Sequence, residues 1–157
     1  MKRFGSSIFT QILAILMSVS LMISLNAGSV PAREPETEIR HDPPDYFVSG
    51  KRIRLEAAVR DEAGVNLVRC YFRAAEEADY VFVEMTSAQT GIYKGILPSP
   101  GKETRTIEYL FLAVNGEEQV VSTQEYELRR EDEKDVPAWQ QVSSEGNIQV
   151  STELPKM

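Results

Sequence analysis

Apolar residues at every second position, in one segment after another, constrain this chain more than any other feature. In Lys51–Arg60, Ile53, Leu55, Ala57 and Val59 share one parity, and Arg52, Arg54, Glu56 and Arg60 share the other. A strand sends alternate side chains to opposite faces, whereas a helix would scatter these four around its axis. The pattern returns in VNLVRCYFRA (65–74), YVFVEM (80–85) and IYKGIL (92–97). RTIEYLFLAV (105–114) is apolar on both parities, which places it in the middle of a sheet. A return strand is expected in EEQVVSTQEYELR (117–129), with Val120, Tyr126 and Leu128 on one parity.

Turn chemistry separates these runs. Asp61-Glu62-Ala63-Gly64 reads as a turn with Gly64 free to take positive φ, TSAQTG (86–91) as another, and Pro98–Gly101 as a stop. Asn115-Gly116 predicts a tight hairpin with positive φ at both turn positions. Six or seven short strands without a long amphipathic helix predict an all-β fold, an antiparallel β-sandwich of about seven strands over residues 46–128. The REPETEIRHDPPD stretch (33–45) is expected to be an extended linker, and 129–157 a charged linker followed by a tail in which NIQVSTEL alternates once more.

The amino terminus carries a different signal. MKRFG is basic, residues 8–25 are mostly apolar, and Ser-Val-Pro-Ala follows, with Val30 and Ala32 suited to the minus-three and minus-one positions. This is the pattern of a secretory signal peptide over 1–32; the alternative is an uncleaved anchor, the sole expected contact with membrane. Either way the remainder is expected outside the cytoplasm, since Lys2 and Arg3 stay inside. Without Lys2 and Arg3, 15 basic residues face 24 acidic ones, a formal charge of −9. That balance argues against nucleic acid, which demands a basic face.

Residues that carry chemistry are sparse. The single Cys excludes an internal disulfide, and with one His no zinc site of several Cys or His ligands can form. Cys70 reads as a small core hydrophobe, because a nucleophile needs a nearby base and the lone His41 lies in the linker. His41 with Asp42 and Asp45 reads as solvated linker, and Asp61-Glu62 as turn residues, not calcium ligands. Gly91–Gly95 lacks the Gly-Lys-Ser/Thr of a phosphate loop, so Gly95 is expected to permit a close backbone approach or a bulge. Tyr71, Tyr80, Phe82 and Trp139 are candidates for an aromatic platform. Arg52, Arg54, Arg60, Arg69 and Arg73 would form a basic stripe if the strands at 51–60 and 65–74 were neighbours; cross-strand pairing with acids is the plainer expectation.

The order Asp61-x-x-Gly64-Val65, Val68-x-Cys70-Tyr71-Phe72-Arg73, Val83-x-Met85, Gly91-x-Tyr93-x-Gly95-x-Leu97-Pro98 and Ile107–Gly116 resembles the immunoglobulin-like and fibronectin-type-III-like modules of bacterial extracytoplasmic proteins. The likeness spans about residues 43–128. It implies that Tyr109 occupies a tyrosine-corner position, its hydroxyl bonded to nearby backbone. Cys70 departs from it, standing where a large aliphatic residue is usual. The resemblance implies an interaction or spacing role in the periplasm or at the cell surface. The expectation is a non-enzymatic module without catalytic residues, cofactor or metal. It would bind a protein partner through loops, a sheet face or an edge strand, with Trp139, Tyr71, Arg69 and Arg73 as candidate partner-binding residues. A carbohydrate-binding module that takes a polysaccharide is the alternative.

Overall fold

The computed structural model describes residues 37–152. The expected signal peptide, residues 33–36 and the last five residues lie outside that range. The described residues form ten strands, β1 (Glu38–Arg40), β2 (Tyr46–Phe47), β3 (Ile53–Arg60), β4 (Val65–Ala74), β5 (Val81–Glu84), β6 (Thr86–Gln89), β7 (Ile92–Leu97), β8 (Thr106–Asn115), β9 (Val120–Ser122) and β10 (Tyr126–Arg130), and one 3-10 turn at Ala138–Gln140. One sheet has the order β1-β3-β7-β6, the other β2-β10-β8-β4-β5, with β9 also on β8. Every pairing is antiparallel except β2 with β10. The protein is an all-β sandwich of two mostly antiparallel sheets.

The alternating residues make the core. Ile53, Leu55, Ala57 and Val59 of β3 face Val68, Cys70, Val83, Ile107, Tyr109, Phe111 and Leu128 of the other sheet, all 5 % exposed or less. Burial of such side chains drives the sheets together. β8 lies between β4 on one side and β10 and β9 on the other, as its two apolar faces require. Gly95 of β7 is an inward position at which a Cβ would sit 3.2 Å from Met85 Cγ. The neighbours there are the side chains of Val83 and Met85, so neither the expected backbone approach nor a bulge occurs.

Ten strands replace about seven because the short edge strands β1, β2, β6 and β9, of two to four residues, carry too little alternation to be read. β6 occupies the TSAQ expected to be a turn; its four residues are all exposed, so no apolar period marks it. The return strand is split. Thr123 bonds Phe111 through its amide (2.9 Å) and accepts the Phe111 amide on its hydroxyl (3.1 Å), interrupting the ladder between β9 and β10. The interruption shifts parity, so Tyr126 and Leu128 belong to the core cluster while Val120 pairs with Val114 and is 39 % exposed.

The hairpin after β8 is also wider than a two-residue turn. Only Glu118 takes positive φ (61°). Asn115 is buried, and its Oδ1 accepts the amides of Glu117 (3.0 Å) and Gln119 (2.8 Å). Gly116 is required for space: a Cβ there would collide with the Ala63 carbonyl oxygen. The 61–64 turn joins strands of different sheets, so β3 and β4 are not neighbours and the basic stripe does not form.

Candidate interaction surface

Two sheet edges hold the residues of interest. The first is the seam where the chain leaves β1 in one sheet and enters β2 in the other. His41 stands at this crossing. Its Nδ1 lies 2.7 Å from the Glu56 carbonyl oxygen, which can only accept, so Nδ1 carries the proton. Nε2 then accepts from the Tyr109 hydroxyl at 2.9 Å. The ring meets Tyr109, Phe111 and Tyr126 edge-on, with centroids 4.7–5.6 Å away. Burial pulls the His41 pKa below its ordinary value, outweighing the bond to Glu56 and the charge of Asp42. His41 is therefore a neutral tie between the sheets, not solvated linker. The tyrosine-corner expectation fails in the same place, because the Tyr109 hydroxyl serves an imidazole instead of the nearby backbone.

Beside His41, Pro43, Pro44, Leu55 and Trp139 line an open groove of about 390 Å³ rimmed by Asp42, Asp45, Arg54 and Glu56. Trp139 is half-buried against the core. Its neighbour Gln140 is buried, accepts from the Val48 amide (2.7 Å) and donates to the carbonyls of Val48 (3.0 Å) and Lys51 (3.3 Å). These bonds satisfy backbone that no ladder reaches. Nothing in the sequence distinguished Gln140 from Gln141.

The second edge is β5. Arg69, Tyr71 and Arg73 of β4 project to the outer face of their sheet, opposite to Val68, Cys70 and Phe72. There Tyr71, Phe82 and Leu112 form an apolar cluster separate from the core, with Tyr80, Leu110 and Val114 packed on it. The Arg69 guanidinium stacks 4.2 Å from the Phe82 ring centre and reaches Glu84 at 3.3 Å; Arg73 stacks 4.5 Å from Tyr80 and bonds Glu108 at 2.7 Å. The Tyr80 hydroxyl donates to Glu125. Burial, then this bond, pushes Tyr80 up to about 12. Tyr71 is only 3 % exposed, so it underlies this surface and Arg69, Arg73 and Tyr80 form its rim. The structure thus groups three of the four candidate partner-binding residues and leaves Trp139 apart from them, by the seam.

Along the free side of β5 runs the C-terminal tail. Among the described residues one bridge joins it to β5: the Phe82 amide donates to Ser151 O (2.8 Å) and the Ser151 amide to Phe82 O (3.0 Å). Upstream, Arg52 donates to the carbonyls of Ser143 (3.3 Å), Glu145 (2.8 Å) and Gly146 (2.5 Å). Ile148 packs on the core, and Val150 is 40 % exposed.

The remaining candidates are accounted for locally. Cys70 is fully buried, and burial alone pushes its thiol far above the ordinary range. Asp61 accepts from Thr37 (2.5 Å), the Ala63 amide (2.7 Å) and Asn115 (3.0 Å), joining three segments. Among the described residues no group of three or more His, Cys, Asp or Glu is placed to hold a metal ion. No protein-family model matches the chain, and no curated protein matches it either.

Proposed function

We propose that this chain is an exported, non-enzymatic, immunoglobulin-like interaction module, carried across the membrane by residues 1–32 and binding a protein partner along the β5 edge and the adjoining outer face. The observation that carries this reading is the edge itself. β5 is bonded on one side to β4 over four residues and, among the described residues, on the other side only at Phe82. Unsatisfied strand edges recruit further strands. Arg69, Arg73 and Tyr80 lie next to it and supply side-chain contacts. The polysaccharide alternative finds less support, because Tyr71 and Phe82 are buried, their rings tilt by 45°, Tyr80 lies under Arg73, and Trp139 is on another edge.

Site-specific photo-crosslinking tests the proposal. A photoreactive side chain replaces Glu84 beside the proposed surface, or Ser87 on β6 of the other sheet, and the exported protein is irradiated in the producing cells. A discrete protein adduct from position 84 and none from 87 is expected. No adduct from 84, or equal adducts from both, would overturn it.

A further inference from the structure

We infer that the open groove beside Trp139 is a second binding site, and that its occupant is a basic residue, arginine or lysine, within an extended segment of a partner protein. The site lies away from the β5 edge and does not rest on the interaction proposed there.

Three observations carry it. First, the groove is the gap left by a strand that stops. β1 pairs with β3 from Glu38–Arg60 to Arg40–Ala58. Continued in the same register, Asp42 would oppose Glu56 and Pro44 would oppose Arg54. Proline has no amide hydrogen to give to a ladder, and the chain crosses to β2 instead. His41 answers the Glu56 carbonyl (2.7 Å), but among the described residues no strand takes the next position. Val59 donates to Gly91 O (2.9 Å), so the odd-numbered residues of β3 turn their peptide groups to β7 and the even-numbered ones away from it. Arg54 therefore offers its amide and carbonyl to the groove.

Second, the side chains add an unmet donor and unmet charge. Arg54 Nε has no hydrogen-bond partner among the described residues, on a side chain 36 % exposed and free to turn. Asp42 and Asp45 are exposed on the groove and form no hydrogen bond or ion pair among the described residues. Glu56, by contrast, is shared between Arg54 (3.3 Å) and Lys94 (3.1 Å). Lys134, which feels the charge of Asp45, is committed to Glu131 (2.7 Å) and to the Tyr46 ring (4.6 Å).

Third, the walls suit a long basic side chain. Leu55, Pro43, Pro44 and Trp139 are apolar, and a lysine or arginine lays its methylenes on such a surface while its charged head reaches carboxylates. An indole ring also attracts a cation. The peptide groups on either side of that residue meet the amide, carbonyl and Nε of Arg54. A neutral sugar would leave both carboxylates unpaired. The C-terminal tail bridges to β5, which stands at the end of its sheet opposite β2, four strand spacings or about 19 Å away. A second copy brings the same surplus of acids, which opposes its approach and favours a different protein.

The test uses the full chain, whose single tryptophan gives one indole N–H resonance. The probe is N-acetyl-arginine N-methylamide, which carries a guanidinium and two peptide groups and no other charge. A saturable shift of the Trp139 resonance is expected, with a Kd of about 1 mM. Asp42→Asn combined with Asp45→Asn should weaken binding about tenfold while leaving the rest of the spectrum in place, and high salt should act in the same direction. The glutamate analogue of the probe should bind at least about tenfold more weakly. Ethylguanidinium, which lacks the peptide groups, should bind about fivefold more weakly. No saturable shift, or equal affinity in the wild type and the double variant, would overturn the site. Equal affinity for ethylguanidinium would overturn the extended segment. A shift with a neutral oligosaccharide such as cellohexaose and none with the arginine probe would assign the groove to a polysaccharide. A shift with protein concentration alone, lost in the double variant, would assign it to a second copy; either result contradicts the inference. Crosslinking at position 84 reports on the other edge, so the two proposals fail independently.

Discussion

At the seam, His41 is bonded through both ring nitrogens and enclosed by three aromatic rings, whereas at β5 the tail, among the described residues, meets the strand through one bridge and half exposes its valine. Both are segments lying against a sheet edge in the same sandwich. They differ in how completely each polar group is answered. A buried group whose partner is removed loses its bond and keeps its desolvation cost, so the seam is expensive to open. The Ser151–Phe82 bridge lies near solvent and can exchange its two bonds for water at little cost. His41 is thereby closed to further contacts, and the β5 edge is the one that the proposed interaction would use.

Four substitution and pH experiments sharpen or break that contrast. The largest effect is expected from His41→Ala, which strands the Tyr109 hydroxyl in the core and opens a void among Phe111 and Tyr126. A loss of about 3 kcal/mol in urea unfolding is expected; a loss below about 1 kcal/mol would show that the seam is not locked through His41. Tyr109→Phe removes only the hydroxyl and should cost about 1–2 kcal/mol. Combined with His41→Ala, it should add no further loss and recover part of the first, because the stranded hydroxyl is removed with it.

Acidification probes the same tie. The folded pKa of His41 lies below its ordinary value of 6.5, so the unfolded chain takes up the proton first as pH falls. The stability linked to neutral His41 is complete above pH 6.5 and is lost progressively below it. Urea midpoints from pH 7.5 downwards should therefore fall more steeply for the wild type than for His41→Gln; parallel curves would contradict the buried neutral imidazole. The smallest effect belongs to the other edge. Ser151→Pro should change the unfolding free energy by less than about 0.5 kcal/mol, and a larger loss would mean that the tail is part of the sandwich.

Much of this architecture was legible in the sequence, and the reasons are physical. β3, β4, β7 and β8 announce themselves because one or both faces are buried, and burial imposes a period of two. β6 and β9 do not, because exposed edges place no demand on side-chain type. Of the surface, Arg69, Tyr71 and Arg73 could be assigned to one face by parity alone, but their neighbours Phe82 and Tyr80 come from sheet order, which parity does not contain. His41 was misread because a histidine between charged residues and a Pro-Pro pair looks solvated. Its partners are 15 and 68 residues away, at Glu56 and Tyr109, and no local pattern links them. Gln140 was invisible for the same reason, with partners 92 and 89 residues distant.

The contrast between an edge that is closed and an edge that is merely occupied is tested most directly by native-state hydrogen exchange at two amides of the β5 region. The Met85 amide donates inward to Val68 O (2.9 Å), and the Phe82 amide donates outward to Ser151 O (2.8 Å). Similar bond lengths give no reason for a difference; only the looseness of the tail does. Phe82 is expected to exchange about a hundredfold faster than Met85 in the folded protein. Equal protection of the two amides would mean that the tail is as firmly built in as β4, and that the β5 edge is not free for a partner.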